Sequence, residues 1–268
     1  MLIDLAITLA AVVALMGACW WASLSIRDVS FIDAIWAYGM VFAVGIAALL
    51  NGGPAGPAGW ALIALVALWG LRLGTHLITR WRRLGRDPRY EKILGHVMKG
   101  SGQKQGMSFA RAAWVRAFGM QGPLLWGVCL PAQAGVLADT GAPLPWWGLA
   151  GAAVALVGIA FETIGDAQLE RFRADPANKG RVMDTGLWRY TRHPNYFGDF
   201  TAWWGIFAVG IAAGAPWWTV IGPLFLSFTL TRWSGAPMLE HSLKKHRPGY
   251  DDYIRRTSGF FPLPPRKG

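Results

Sequence analysis

Long apolar stretches separated by short polar connections dominate this sequence. Seven such stretches can be delimited, at 2–24, 29–50, 58–79, 112–136, 143–165, 196–214 and 216–233. Most of them reach the ~20 residues that an α-helix needs to cross the hydrocarbon core of a bilayer. The regular alternation of strands and helices that builds a nucleotide-binding α/β sheet is absent. The pattern therefore predicts an all-α, polytopic membrane protein with seven transmembrane helices in a single domain, 1–268.

The distribution of charge changes how the basic composition is interpreted. The formal net charge of +11 alone would also suit a protein that binds nucleic acid. However, 24 of the 26 Lys and Arg residues lie in 80–116, 166–199 and 232–268, between the apolar runs. This arrangement follows the positive-inside bias of membrane proteins. It predicts an amino terminus outside, a carboxyl terminus in the cytoplasm and no nucleic-acid partner.

Ionisable residues within the apolar runs are the first candidates for function. A charge at the bilayer centre costs ~2.5–3.5 kcal/mol on insertion scales, and such residues usually face an internal cavity. Asp33 is one of them, although it follows Ser30 by three residues and would also suit a capping box at the start of the second span. Arg72 on the third span either faces the interior or extends its side chain to the headgroups. Both interpretations stay open for each residue.

A polar block at Gly186–Trp204 is the second candidate. The proline after His193 predicts a helix start, and free N–H groups at a helix start attract anions. Arg192 and His193 stand beside that start, which suits a pyrophosphate. Asn195 and Asp199, one turn apart, would suit ribose hydroxyls. The same groups would also bind a lipid headgroup, so the residues alone leave nucleotide and lipid open.

The segment Leu187–Asp199 resembles the carboxyl-terminal signature of the steroid 5α-reductase family, and Glu240–Pro262 is similar to its bacterial homologue branch, the DUF1295-like membrane reductases. This resemblance implies a seven-helix fold in the bacterial inner membrane and an NADPH-dependent oxidoreductase that acts on the CH–CH group of an enone. It implies a substrate side over 1–110 and a cofactor side over 111–268. The cofactor-binding candidates are Arg72, Arg80, Arg83, Asp166, Arg173, Arg192, His193, Asn195, Asp199, Trp203, Arg232, Glu240 and Tyr253.

The catalytic half departs from the family pattern. The animal enzymes pair a glutamate on helix two with a tyrosine on helix three, whereas here the nearest acid on helix two is Asp33 and the tyrosine position holds Trp69. Tyr38 is the catalytic candidate that would replace this tyrosine, and His76 is another. We expect hydride transfer to the β-carbon of a hydrophobic enone, such as a Δ4-3-ketosteroid entering from the bilayer, followed by protonation of the enolate. Asp33 or Tyr38 would polarise its carbonyl.

Two other functions remain open. Isoprenylcysteine and phospholipid methyltransferases, which use S-adenosylmethionine, share an Arg-His-Pro-x-Tyr-x-Gly signature and a later glutamate, as at Arg192–Gly198 and Glu240. A non-catalytic protein that binds lipid or sterol would retain the apolar helices but have no affinity for nucleotides. No cluster has the spacing of a zinc site, so we expect no metal. Nothing in the sequence indicates an oligomer.

Overall fold

A computed structural model of the chain describes residues 1–100, 106–233, 235–236, 240, 243–245 and 247–266. Within these residues the regular elements are helical, and the one β-type pairing is an isolated bridge. The α-helices with described bounds are α1 (Leu2–Ile26), α2 (Ile32–Leu50), α3 (Pro57–Leu84), α4 (Pro88–Lys99), α5 (Phe109–Ala113), α6 (Gly119–Val128), α7 (Leu130–Ala138), α8 (Trp146–Ala174), α9 (Pro194–Ala212), α10 (Ile221–Phe228) and α11 (Tyr250–Arg256).

Four of these helices, α1, α2, α3 and α8, are long and apolar enough to cross a membrane. The run predicted as the fourth span is helical but divided, because the π-helical turn Trp114–Phe118 precedes α6 and Cys129 separates α6 from α7. The sixth run corresponds to α9. The seventh is divided into Trp217–Val220, α10 and the π-helical turn Thr229–Trp233. The described residues thus confirm an all-α fold and indicate an integral membrane protein. The count of seven spans and the orientation of the termini stay predictions.

The chain divides into two compact units. The amino-terminal unit comprises Met1–Pro145 with Val209–Thr219, and the carboxyl-terminal unit comprises Trp146–Ala208 with Val220–Gly268. The predicted boundary between a substrate side and a cofactor side, at residue 110, lies inside the amino-terminal unit. Helices α5 to α7 therefore group with α1 to α3, and α6 and α7 pack on α1 and α2.

Aromatic and polar contacts hold the amino-terminal unit together. The fully buried Trp69 of α3 meets Trp36 of α2 edge to face, with ring centroids 6.5 Å apart. At the start of α3 the buried carboxylate of Asp139 accepts hydrogen bonds from the backbone N–H groups of Gly56 (2.7 Å) and Gly59 (3.1 Å). The first N–H groups of a helix have no partner within it, so a carboxylate is favourable there.

In the carboxyl-terminal unit, α8 and α9 approach each other through glycines. A Cβ atom on Gly158 would lie 2.3 Å from the backbone nitrogen of Ala202, and one on Gly198 would lie 2.4 Å from that of Glu162. Small residues allow backbones of membrane helices to come this close, and van der Waals contact then stabilises the pair. The close approach also brings polar side chains of α8 and α9 within hydrogen-bonding distance.

We predict that Gly158→Ala destabilises the protein, because the added methyl group would overlap the backbone of α9. Overpacking of this kind costs ~1–3 kcal/mol. Gly17→Ala in α1 is the matched control, since a Cβ atom there meets nothing within 4 Å. The measurement is the thermal midpoint of unfolding in detergent. Equal midpoints for the two variants would show that the glycine contact does not hold α8 against α9.

Candidate functional site

The facing surfaces of α8 and α9 carry a polar cluster formed by Glu162, Asp166, Asn195 and Asp199. Glu162 is 3% exposed and Asp199 is 8% exposed. The side-chain amide of Asn195 donates to Oδ1 of Asp166 at 3.2 Å. Carboxylates accept hydrogen bonds from hydroxyl groups, and a primary amide both donates and accepts. The polar cluster therefore has the chemistry to bind a diol and an amide, the groups of a nicotinamide ribose.

Three further cofactor candidates lie in the same unit. Trp203 follows Asp199 by one helical turn and is fully buried. Arg173 in the last turn of α8 and Arg232 in the π-helical turn Thr229–Trp233 are exposed. The structure thus joins Asp166 to Asn195 directly and leaves these two arginines at the surface.

The Arg-His pair that precedes α9 holds the carboxyl-terminal tail. Arg192 donates from Nε to Glu240 Oε1 at 2.8 Å and from Nη2 to Oε2 at 3.3 Å, and its Nη1 reaches the carbonyl oxygens of Ile254 (3.3 Å) and Thr257 (2.7 Å). Nε2 of the buried His193 lies 2.9 Å from Glu240 Oε1. We call Arg192, His193 and Glu240 the tail clamp. Most of the Arg192 donors that the sequence assigned to a cofactor are engaged by the tail.

Tyr253 reinforces the attachment of the tail. Its hydroxyl donates to the carbonyl oxygen of Trp188 at 2.5 Å, and the indole of Trp188 donates to the carbonyl oxygen of Gly165 in α8 at 3.0 Å. Burial raises the pKa of Tyr253, so the phenol keeps the proton that it donates. The hydroxyl of Thr191 also donates to the backbone carbonyl oxygen of Phe260 in the tail at 2.7 Å. Tyr253 therefore links the tail to α8 through the loop before α9.

The charge of Glu240 depends on its two partners. Burial alone would raise its pKa, but the hydrogen bonds from His193 and Arg192 and the charge of Arg192 outweigh burial and lower the pKa to about 2. A folded-state pKa below the ordinary value of 4.5 means that ionised Glu240 stabilises the fold. That contribution is complete above pH 4.5 and is lost as the pH falls towards 2.

We predict that Glu240→Gln lowers the free energy of unfolding at neutral pH by ~1.5–3 kcal/mol, the usual range for a hydrogen bond to a charged group. The difference from wild type should shrink as the pH falls from 4.5 towards 2, because wild-type Glu240 then becomes protonated. Thermal midpoints across this pH range provide the measurement. Asp251→Asn removes an exposed carboxylate from the same tail and should change little. A loss that did not depend on pH would contradict the ionised clamp.

In the amino-terminal unit, Asp33 accepts hydrogen bonds from two residues of α4. The Tyr90 hydroxyl donates to Oδ1 at 2.6 Å, and Arg89 Nη2 lies 2.7 Å from Oδ2. The capping-box interpretation of Asp33 is wrong: the backbone N–H and hydroxyl of Ser30 both donate to Asp28, and no side chain caps α2. Asp33 is therefore an acid held by a phenol and a guanidinium.

Two turns bring α4 to the start of α2. Gly85 adopts a φ of 74°, which favours glycine, and ends α3. The N–H of Asp87 then donates to the hydroxyl of Ser30 at 2.8 Å, and the indole of Trp81 donates to Asp28 at 2.8 Å. Asp87 also caps α4 by accepting from the N–H of Arg89 at 2.8 Å. The turn before α2 and the turn before α4 are thus bonded to each other.

Tyr90 is a candidate that the sequence interpretation missed. Burial raises its pKa well above the ordinary value, and the charge of Asp33 and the hydrogen bond to it raise the pKa further. The phenol therefore remains a protonated donor. The available signal was the run Asp87-Pro-Arg-Tyr90 in the basic segment that follows the third apolar run.

The other amino-terminal candidates lie elsewhere in this unit. Tyr38 shares a hydrogen bond of 3.0 Å with the Thr75 hydroxyl and does not bond to Asp33. Trp69 of α3 is fully buried. Along α3, Arg72, His76 and Arg80 are half-buried and Arg83 is exposed.

Comparison with known proteins identifies the family. The profile described as "Protein of unknown function (DUF1295)" matches residues 19–257. The chain belongs to the DUF1295 family. This DUF1295 protein is also 30% identical over 117 residues to the nickel-cobalt-cadmium resistance protein NccN of Alcaligenes xylosoxydans xylosoxydans. The aligned part covers 44% of this chain and 52% of the relative. The chain thus spans about half the length of that curated relative. No solved structure matches this chain.

The similarity to a metal-resistance protein raises the question of a metal site. Among the residues that the structure describes, no group of three or more His, Cys, Asp or Glu side chains is placed to hold a metal ion. The amino-terminal unit instead has the Tyr90 hydroxyl paired with the Asp33 carboxylate. The carboxyl-terminal unit has the polar cluster, with its three carboxylates and the amide of Asn195.

Proposed function

We propose that this DUF1295 protein is an NADPH-dependent membrane reductase that reduces the carbon–carbon double bond of a hydrophobic enone. The observation that carries the proposal is the half-buried Tyr90 hydroxyl held 2.6 Å from Asp33. A hydrogen-bond donor at the carbonyl oxygen accelerates the reduction of an enone, and a phenol with a raised pKa remains protonated and can donate. The resemblance of Leu187–Asp199 to the steroid 5α-reductase signature supports the same reaction.

The carboxyl-terminal unit has donor and acceptor groups that suit the cofactor. In the polar cluster, Asp166 and Asp199 would accept ribose hydroxyls, and Asn195 would bond to the carboxamide. The phosphates need cations. Since Arg192 is engaged by Glu240, we assign the phosphates to exposed arginines of this unit: Arg171, Arg173, Arg181 and Arg232. Bound NADPH would supply the hydride that reduces the β-carbon, and the resulting enolate would take up a proton at its α-carbon.

The chain itself would supply polarisation and a dry environment. With substrate bound, the Tyr90 hydroxyl would turn from Asp33 to the carbonyl oxygen of the enone. Arg89, which lies 2.7 Å from Asp33, would then continue to compensate the charge of that carboxylate. A hydrogen bond to the carbonyl strengthens as the oxygen becomes negative in the transition state, so it lowers the barrier. The apolar spans would admit a substrate from the bilayer and exclude water.

We predict that Tyr90→Phe lowers kcat/KM for a Δ4-3-ketosteroid by ~10²–10³-fold, the usual effect of removing one donor to a developing oxyanion. The fold should persist, because the phenyl ring retains the packing of the tyrosine. The measurement is product formation by purified protein in lipid with NADPH. Tyr38→Phe, which removes a phenol bonded to Thr75, is the control and should remain near wild type. The opposite order of activities would assign the donor role to Tyr38.

A second candidate is S-adenosylmethionine-dependent methylation of a lipid. The observation that favours it is the excess of carboxylates in the polar cluster, with Glu162 and Asp199 buried. S-adenosylmethionine has a positive sulfonium, one ribose diol and no phosphate, and a nearby carboxylate attracts such a cation. The tail clamp also joins the two parts of the methyltransferase-like signature, Arg192 and Glu240.

Ligand-dependent stability distinguishes the candidates. A ligand that binds only the folded state stabilises it by about 2.7 kcal/mol at 100 times its Kd. We predict that NADPH raises the thermal midpoint of the purified protein and that Asn195→Ala and Asp199→Asn abolish this shift. The exposed-site variant Asp251→Asn should retain it. A shift with S-adenosylmethionine alone would establish the methyltransferase. A shift with neither ligand would favour a lipid-binding protein without nucleotide affinity.

A further inference from the structure

Helix α4 is amphipathic, and its apolar side is only partly covered by the described residues. Tyr90, Ile93, Leu94 and Val97 follow the i, i+3, i+4, i+7 spacing of one helical face. Leu94 is buried at 5% exposure, whereas Ile93 and Met98 at the two edges of that face are 39% and 37% exposed. The edges of α4 thus present apolar side chains outward.

Exposed cations surround these apolar edges. The side of α4 away from Leu94 carries Lys92 and Lys99, both exposed, and the first turn also holds one exposed acid, Glu91. Just before the helix, Arg82, Arg83 and Arg86 are also exposed. Cations beside exposed apolar side chains are typical of helices that lie in a membrane interface, where the apolar edge enters the lipid and the cations meet headgroups.

The length of α3 places α4 at the level of the headgroups. The 28 residues of α3 span ~42 Å at the ~1.5 Å rise of an α-helix. A bilayer measures ~40–45 Å with its interfacial regions, so a spanning α3 ends near the membrane surface. Only residues 85–87 separate α3 from α4. The helix α4 therefore begins where α3 leaves the bilayer.

We propose that α4 lies on the membrane surface and binds anionic phospholipids, with Ile93 and Met98 inserted between headgroups and with Lys92 and Lys99 contacting phosphates. The charge complementarity favours a lipid over a protein partner, because clustered Lys and Arg next to a spanning helix are attracted to an anionic leaflet. Since the first turn of α4 holds Asp33 through Arg89 and Tyr90, docking on lipid would also hold that contact.

The experiment uses the full chain in nanodiscs of phosphatidylcholine, with or without phosphatidylglycerol. A nitroxide is attached after Ile93→Cys, Met98→Cys or His96→Cys, each in a Cys19→Ala/Cys129→Ala background. With phosphatidylglycerol, the labels at 93 and 98 should become accessible to oxygen and protected from a water-soluble nickel chelate. The label at 96 should remain accessible to the chelate, because position 96 lies further round α4 from the buried Leu94 than either apolar edge does.

A charge variant tests the role of the headgroups. Lys92→Gln/Lys99→Gln should abolish the response of the labels to phosphatidylglycerol. Lys179→Gln/Lys244→Gln, which removes two exposed cations from another part of the chain, should retain it. Three results would overturn the proposal: labels at 93 and 98 as water-accessible as the label at 96, equal lipid depth with and without phosphatidylglycerol, or protection from both reagents in every lipid. The last would show that a protein surface covers α4.

Discussion

Arg192 connects the start of α9 to the tail through the carboxylate of Glu240 and two backbone carbonyls, and the carboxyl-terminal unit depends on this contact. The ion pair is largely removed from solvent, with side chains 13% and 19% exposed. A charge that is removed from water needs its partner, because losing the partner leaves an uncompensated charge. The buried His193 adds a second contact to the same carboxylate.

The tail clamp determines which groups are left for a ligand. Because Arg192 is engaged by the tail, a ligand at the proposed cofactor site would meet the amide of Asn195 and the acid of Asp199 rather than the guanidinium. The glycine contact between α8 and α9 then places Asp166 within 3.2 Å of Asn195. A cofactor at this site would meet acceptors for its hydroxyls first, and its phosphates would need arginines from outside the motif.

Local patterns in the sequence predict the helices well. The first three apolar runs and the fifth match α1, α2, α3 and α8, and the proline at 194 starts α9 as expected. The fourth run is divided by a π-helical turn and a break at Cys129, which hydrophobicity alone does not indicate. Contacts distant along the chain were not predictable in the same way. Glu240 lies 48 residues from Arg192, and Tyr90 lies 57 residues from Asp33.

A double-mutant cycle tests the central interaction most directly. The free energy of unfolding would be measured in detergent for wild type, Arg192→Gln, Glu240→Gln and the double variant. If the guanidinium and the carboxylate stabilise each other, the sum of the two single losses in unfolding free energy should exceed the loss in the double variant. The difference is the coupling energy, which should be about 0.5–3 kcal/mol, the range found for residues in contact. Purely additive effects would contradict the account, because they would show that Arg192 and Glu240 act independently.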